Sequence, residues 1–277
     1  MTVKVIFAII WGRIMWIKTF FSDFYSLIQS GYRLIITNIA LTLAARILLS
    51  SSNNAVAVDG KPPFIASAVS YVGYASLWIT FAVMLIIAFV KLRKELYSLP
   101  DKKGNDSPGA VFDKITSVCL SVFLFSLAGY LLFVLGYTVL SAGGSYFDLI
   151  FHNLLPPLGY SSADFGMPMI LYTVLTVSLL LLSLTLLFSF AFVFSAGRRH
   201  QGRFAVGCML VFYAVSLSLF IILILSNIPP AELFAGYMHS GSYSNVISAY
   251  LAVMIALLVP ALISFPFTFL FAAKHRR

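Results

Sequence analysis

Acidic side chains are scarce in this chain, which has nine Asp and Glu in 277 residues. None lies inside the six long apolar runs, at about 34–50, 65–90, 115–140, 169–195, 204–226 and 246–272. Carriers driven by protons or sodium usually place an ionisable group near the middle of the membrane. Its absence argues against an autonomous secondary transporter or ion pump. Cysteine is nearly missing too. Cys119 and Cys208 both fall in apolar runs, where they read as small buried residues, and the chain has neither a disulfide framework nor a CxxC metal pattern. Charged residues make up only 10% of the chain, against about 25% for a soluble domain, too few to cover a water-facing surface. No HExxH, no GxSxG and no glycine-rich loop followed by Lys and Ser or Thr is present. The chain is therefore expected to be no enzyme, to hold no cofactor and to hydrolyse no ATP. Asp148, His152, Asp164, Glu232 and His239 are metal-ligand types, but they are scattered singly over two loops and read as solvated residues, so no metal site is expected.

What is abundant is apolar length. The chain is 61% hydrophobic, and a helix crosses the hydrocarbon with roughly 20 such residues. Six crossings leave room only for loops and ends. The expected fold is all-α, a polytopic transmembrane helix bundle of six spans forming a single domain over 1–277. The 18 Lys and Arg residues then supply the orientation. Apart from Arg46 and Lys61, they lie before the first span, in the second and fourth loops, or in the tail Lys274-His275-Arg276-Arg277. Basic segments near a span resist translocation, so both termini are expected in the cytoplasm of a multi-pass plasma-membrane protein. The same topology accounts for the net charge of +9 without nucleic acid, and the basic face suits anionic lipid headgroups.

Residues 1–33 are expected to hold a helix lying at the cytoplasmic interface, with Trp11 and Trp16 as anchors and Arg13 and Lys18 among the headgroups; the other reading, a short extra span that would put the N-terminus outside, is opposed by those two charges. Arg46, close to the outer end of the first span, reads as a snorkelling side chain or as a contact for cargo or gating. Between the second and third spans lies a turn-rich loop with Leu99-Pro100 and Asp101 to Gly109. The longest outer loop, 141–168, carries no Lys or Arg and is expected to include a short interfacial helix. Pro260 and Pro266 interrupt the sixth run; each removes an intrahelical hydrogen bond and kinks a helix, giving either a hinge or a static bend. Tyr71, Tyr74, Tyr130, Tyr137, Tyr172 and Tyr213 read as packing or belt residues, with a substrate path as the other reading.

The order of features resembles the membrane permeases of type-2 ABC exporters, the compact six-span members. The likeness covers about Phe20 to the end. It rests on Phe24 to Leu34 ahead of the first span, Ala45-Arg46-Ile47-Leu48 at its end, and the basic exit Lys91-Leu92-Arg93-Lys94. It continues with Tyr97-Ser98-Leu99-Pro100, Asp113-Lys114-Ile115 and the turn Gly197-Arg198-Arg199-His200. Between Pro100 and Val111 the chain departs from the family, with a polar, glycine-containing stretch in place of a compact coupling helix. The resemblance implies a permease subunit forming an export path, paired as a homo- or heterodimer. It also implies a separate ABC ATPase subunit docking on Tyr97, Leu99, Pro100, Lys114, Arg198 and Arg199. The other reading of the chain is a non-transporting membrane accessory, immunity or sensor protein.

Overall fold

The structure is a computed structural model describing residues 2–53, 64–97, 108–141, 167–195 and 262–270, with isolated positions 207, 211, 214, 258 and 259. Four long helices carry it: α1 (Thr2–Asn53), α2 (Phe64–Tyr97), α3 (Pro108–Leu140) and α4 (Met167–Ser195). Residues 262–270 are helical as well, and there is no strand among the described residues. Each long helix contains a segment long and apolar enough to cross a membrane, namely Trp16–Ser50, Ala68–Tyr97, Gly109–Leu140 and Val177–Phe194. These correspond to the first four expected spans. Most of the fifth and sixth, with Cys208, Pro260 and the fourth loop, lies outside the described residues, as do positions 142–166 of the outer loop and the scattered metal-ligand types.

The helices outrun the expected spans at their charged ends. α2 continues past 90 to Tyr97, and Lys91 and Glu95 lie one turn apart with their ends 3.0 Å apart, a spacing that supports a helix. α3 begins at Pro108, where the missing N–H of proline costs nothing because the first helical amides have no partner. α1 shows the largest difference. The boundary expected near Arg33 is absent, and the supposed interfacial helix and first span form one unbroken helix. No proline interrupts it. Gly31, the one helix-weakening residue near the expected boundary, sits where a Cβ would come within 2.9 Å of the Phe125 ring.

The chain packs as two compact units. One comprises Met1–Ser26, Phe89–Leu124 and Phe165–Arg277; the other comprises Leu27–Ala88 and Phe125–Asp164. In the second unit, Ala45 and Leu49 of α1, Leu77 of α2, and Phe133 and Leu140 of α3 form a buried apolar core. Aromatic pairs line it: Tyr74 with Tyr137 at 4.8 Å, Trp78 with Phe133 at 4.6 Å, and Phe81 with Tyr130 at 6.2 Å between ring centroids. Such offset pairs add to simple burial. α2 and α3 approach closely at Gly136, where a side chain would collide with Leu77. Small residues allow this kind of contact in membranes, where packing replaces the hydrophobic drive. One side chain of α1 hydrogen-bonds to α2: Asn38 Nδ2 donates to Thr80 Oγ1 at 2.9 Å and to the Ser76 carbonyl at 3.3 Å.

The first unit has its own apolar core, with Leu92 and Leu96 of α2, Val111, Ile115, Val118 and Val122 of α3, and Leu187, Ala191 and Phe192 of α4 all buried. Rings join α2 to α4 through Phe89–Phe188 at 4.7 Å and Tyr97–Phe192 at 5.5 Å. Phe112 of α3 meets Phe265 and Phe269 edge-on. Buried Cys119 lies 3.0 Å from Ser189 of α4, so its thiol is a packed, hydrogen-bonding group.

Candidate functional site

Asp23 is the only carboxylate in α1. Helical spacing puts it on the same face as Leu27, one turn away, and that face is buried; Asp23 is 6% exposed. A carboxylate so placed needs a cation and hydrogen-bond donors. α3 supplies both from one face. Lys114 Nζ lies 3.2 Å from Asp23 Oδ1 and 3.1 Å from Oδ2. Ser117, three residues on, donates its hydroxyl to Oδ2 at 3.1 Å. A further turn along, Ser121 donates to the Ser117 carbonyl at 2.8 Å and to the Phe20 carbonyl of α1 at 3.4 Å.

The cluster extends to α2. Lys114 Nζ is also 3.2 Å from Glu95 Oε2, and Glu95 Oε1 pairs with Lys91 at 3.0 Å. Asp23, Lys114, Glu95 and Lys91 thus alternate in sign across three helices, and their formal charges cancel. Their side chains are between 9% and 24% exposed, so solvent screens them only in part. Separating one ion from such a cluster leaves the others poorly compensated, which costs far more than breaking a pair at an open surface.

Of the residues expected to receive an ATPase, Lys114 is the hub of this cluster. Tyr97 ends α2; the Arg93 guanidinium stacks over its ring at 5.3 Å, and the ring also meets Phe192. Leu99, Pro100, Arg198 and Arg199 lie outside the described residues. Of the two prolines expected to form a hinge, only Pro266 is described, exposed within the helical stretch 262–270. Arg46 is half-buried near the end of α1. No group of three or more His, Cys, Asp or Glu able to hold a metal occurs among the described residues.

The expected spans themselves hold no acid; Asp23, Glu95 and Asp113 lie beyond them, in the longer apolar helical segments Trp16–Ser50, Ala68–Tyr97 and Gly109–Leu140. Asp23 was the functional candidate that sequence reasoning passed over. Its signal was in plain view: a lone carboxylate between Phe20, Phe24 and Leu27 on an apolar helix face. No protein-family model, curated protein or solved structure matches this chain.

Proposed function

We infer that this chain is the permease subunit of an ABC-type exporter, with both termini in the cytoplasm, moving an unidentified substrate with energy from a separate ATPase. The observation that carries the reading is the connection at the two roots of the loop between α2 and α3. Glu95, on α2 just before that loop, and Lys114, on α3 just after it, are 3.2 Å apart, and Lys114 also holds Asp23 of α1. A force applied at the ends of α2 and α3 is therefore shared by three helices. A permease without a nucleotide site needs such a linkage, because a partner changes its conformation only through contacts that differ between two states. Supporting it are the order of basic exits along the sequence and the Tyr97 ring, anchored against Phe192 at the end of α2.

The test is whether an ABC ATPase copurifies with the full chain from its native membrane. Replacing Leu99-Pro100 and Arg198-Arg199 is expected to weaken that association while membrane insertion stays intact. Absence of any ATPase partner favours the accessory or sensor reading instead. Topology is tested separately. With Cys119 and Cys208 replaced by serine, a cysteine at position 104 is expected to label only from the cytoplasmic side and one at position 150 only from outside. The reverse pattern refutes the orientation.

A further inference from the structure

We propose that Arg33, Tyr32 and Gln29 of α1 form a binding site for the headgroup phosphate of an anionic phospholipid. The proposal rests on the chain being embedded in a membrane and is independent of transport. Its basis is the depth and direction of one guanidinium. Ala45 of α1, Gly73 of α2 and Leu140 of α3 meet at one level, and Gly31 meets Phe125 at another. These contacts put α1 and α3 in parallel register through the second unit, with α2 antiparallel. Arg33 and Arg46 are the only charged residues that α1 carries between Leu27 and Asn53. At 1.5 Å per residue they stand about 20 Å apart along the axis, inside a hydrocarbon layer about 30 Å thick. Centring the layer between them puts each about one turn from an edge, the placement in which neither charge lies deep.

The two arginines are not equivalent there. Helical side chains lean toward the N-terminus, which for Arg33 is toward the nearer edge and for Arg46 is toward the middle. Arg33 is exposed on the side of α1 opposite the buried face of Leu27, Gly31 and Asn38, and Arg46 is half-buried. Among the described residues Arg33 pairs with no carboxylate. Its neighbours one turn away on the helix surface are Gln29, Ser30, Ile36 and Thr37, all exposed, so the charge lies on an open, largely polar strip of α1.

Tyr32 orients that charge. Arg33 Nε donates to the Tyr32 hydroxyl at 3.0 Å, which occupies one edge of the guanidinium and leaves its two terminal nitrogens for a ligand. A phosphate matches that fork with two parallel hydrogen bonds. Gln29, exposed one turn toward the same edge, offers an amide N–H to a further headgroup oxygen. The tyrosine ring also suits the boundary between acyl chains and headgroups. A lipid with net negative charge is selected over a zwitterionic one, because a choline ammonium would sit beside the guanidinium.

The experiment is native mass spectrometry of the purified full chain in neutral detergent, titrated with phosphatidylglycerol or phosphatidylcholine. Wild-type protein is expected to retain phosphatidylglycerol preferentially. Arg33→Gln is expected to reduce that preference about tenfold, the loss of one charge-assisted interaction; Arg33→Lys keeps part of it, and Arg46→Gln keeps it whole. Tyr32→Phe preserves the ring and the charge, and is expected to reduce the preference about threefold by freeing the guanidinium. It serves as the second probe should Arg33→Gln fail to fold. Unchanged retention in Arg33→Gln or Tyr32→Phe overturns the site. Displacement of the lipid by equimolar glycerol 1-phosphate makes the ligand a soluble phosphate and overturns it too. So does a change of oligomeric state in Arg33→Gln without loss of lipid, which assigns the surface to a second copy of the chain.

Discussion

The two packing units solve the same problem with opposite chemistry. Both hold helices together in a chain with few polar groups. In the unit of Leu27–Ala88 and Phe125–Asp164, the described residues include just two charges, Arg33 and Arg46, and neither enters the core. Cohesion there comes from ring pairs, from glycine contacts and from the neutral Asn38–Thr80 bond. In the other unit, Asp23 and Lys114 pair across two helices, and Glu95 and Lys91 complete an alternating cluster. Neutral polar contacts are cheap to lose and set register; buried ion clusters are costly to break apart. The contrast identifies which unit can transmit a load and which resists by packing.

The sharpest way to break this comparison is to remove one ion. Asp23→Ala is expected to destabilise the protein by about 3 kcal/mol, since Lys114 and the Ser117 hydroxyl lose their acceptor while Lys114 keeps Glu95. Thermal or denaturant unfolding in detergent measures this. Lys114→Met should cost a similar amount, because it leaves Asp23 without a cation, and the double variant should cost much less than the two losses added together. That non-additivity is the signature of direct pairing. Additive losses would show that the two side chains act separately, and the load-sharing argument would fall with them.

The four helices were legible from sequence because length and hydropathy act locally, and about 20 apolar residues suffice to declare a crossing. The ends were not. Lys91 to Lys94 read as an exit into water, yet the Lys91–Glu95 pair keeps α2 helical to Tyr97. The break expected at Arg33 followed from treating a charge as a boundary. A helix ends for want of hydrogen bonds or at a proline, and α1 meets neither there. Among the tyrosines with two readings, Tyr74, Tyr130 and Tyr137 pack against other rings, as the packing reading had it, while Tyr71 is 77% exposed. The Asp23–Lys114 pair was invisible for a different reason. Its partners are 91 residues apart, and no local pattern brings two such positions together.

A smaller effect is expected where α2 and α3 touch. Gly136→Ala inserts a methyl group against Leu77. In a tightly packed interior such an insertion costs about 1–3 kcal/mol, partly offset by the better helix propensity of alanine. Leu77→Ala should rescue Gly136→Ala in part by making room, so the pair is again non-additive, now through volume and not charge. If Gly136→Ala unfolds at the wild-type temperature, the close approach of the two helices is not what stabilises this unit.

The smallest effect tests the neutral unit on its own terms. Asn38 is 2% exposed and donates to Thr80 and to the Ser76 carbonyl. In lipid, such an interhelical bond is worth about 0.6 kcal/mol on average, because the separated helices find other partners for their polar groups. Asn38→Leu, close in size and apolar, should therefore change stability by less than about 1 kcal/mol, and Thr80→Val should do the same. The measurement that matters is their difference from Asp23→Ala under identical conditions. A loss at Asn38 as large as the loss at Asp23 would mean that neutral polar contacts carry this unit after all, and the division of labour between the two units would have to be abandoned. A loss several times smaller leaves Asn38 a register device, one that favours pairing of α1 with α2 at Thr80 over a slipped alignment, and leaves cohesion of its unit to the ring pairs and glycine contacts.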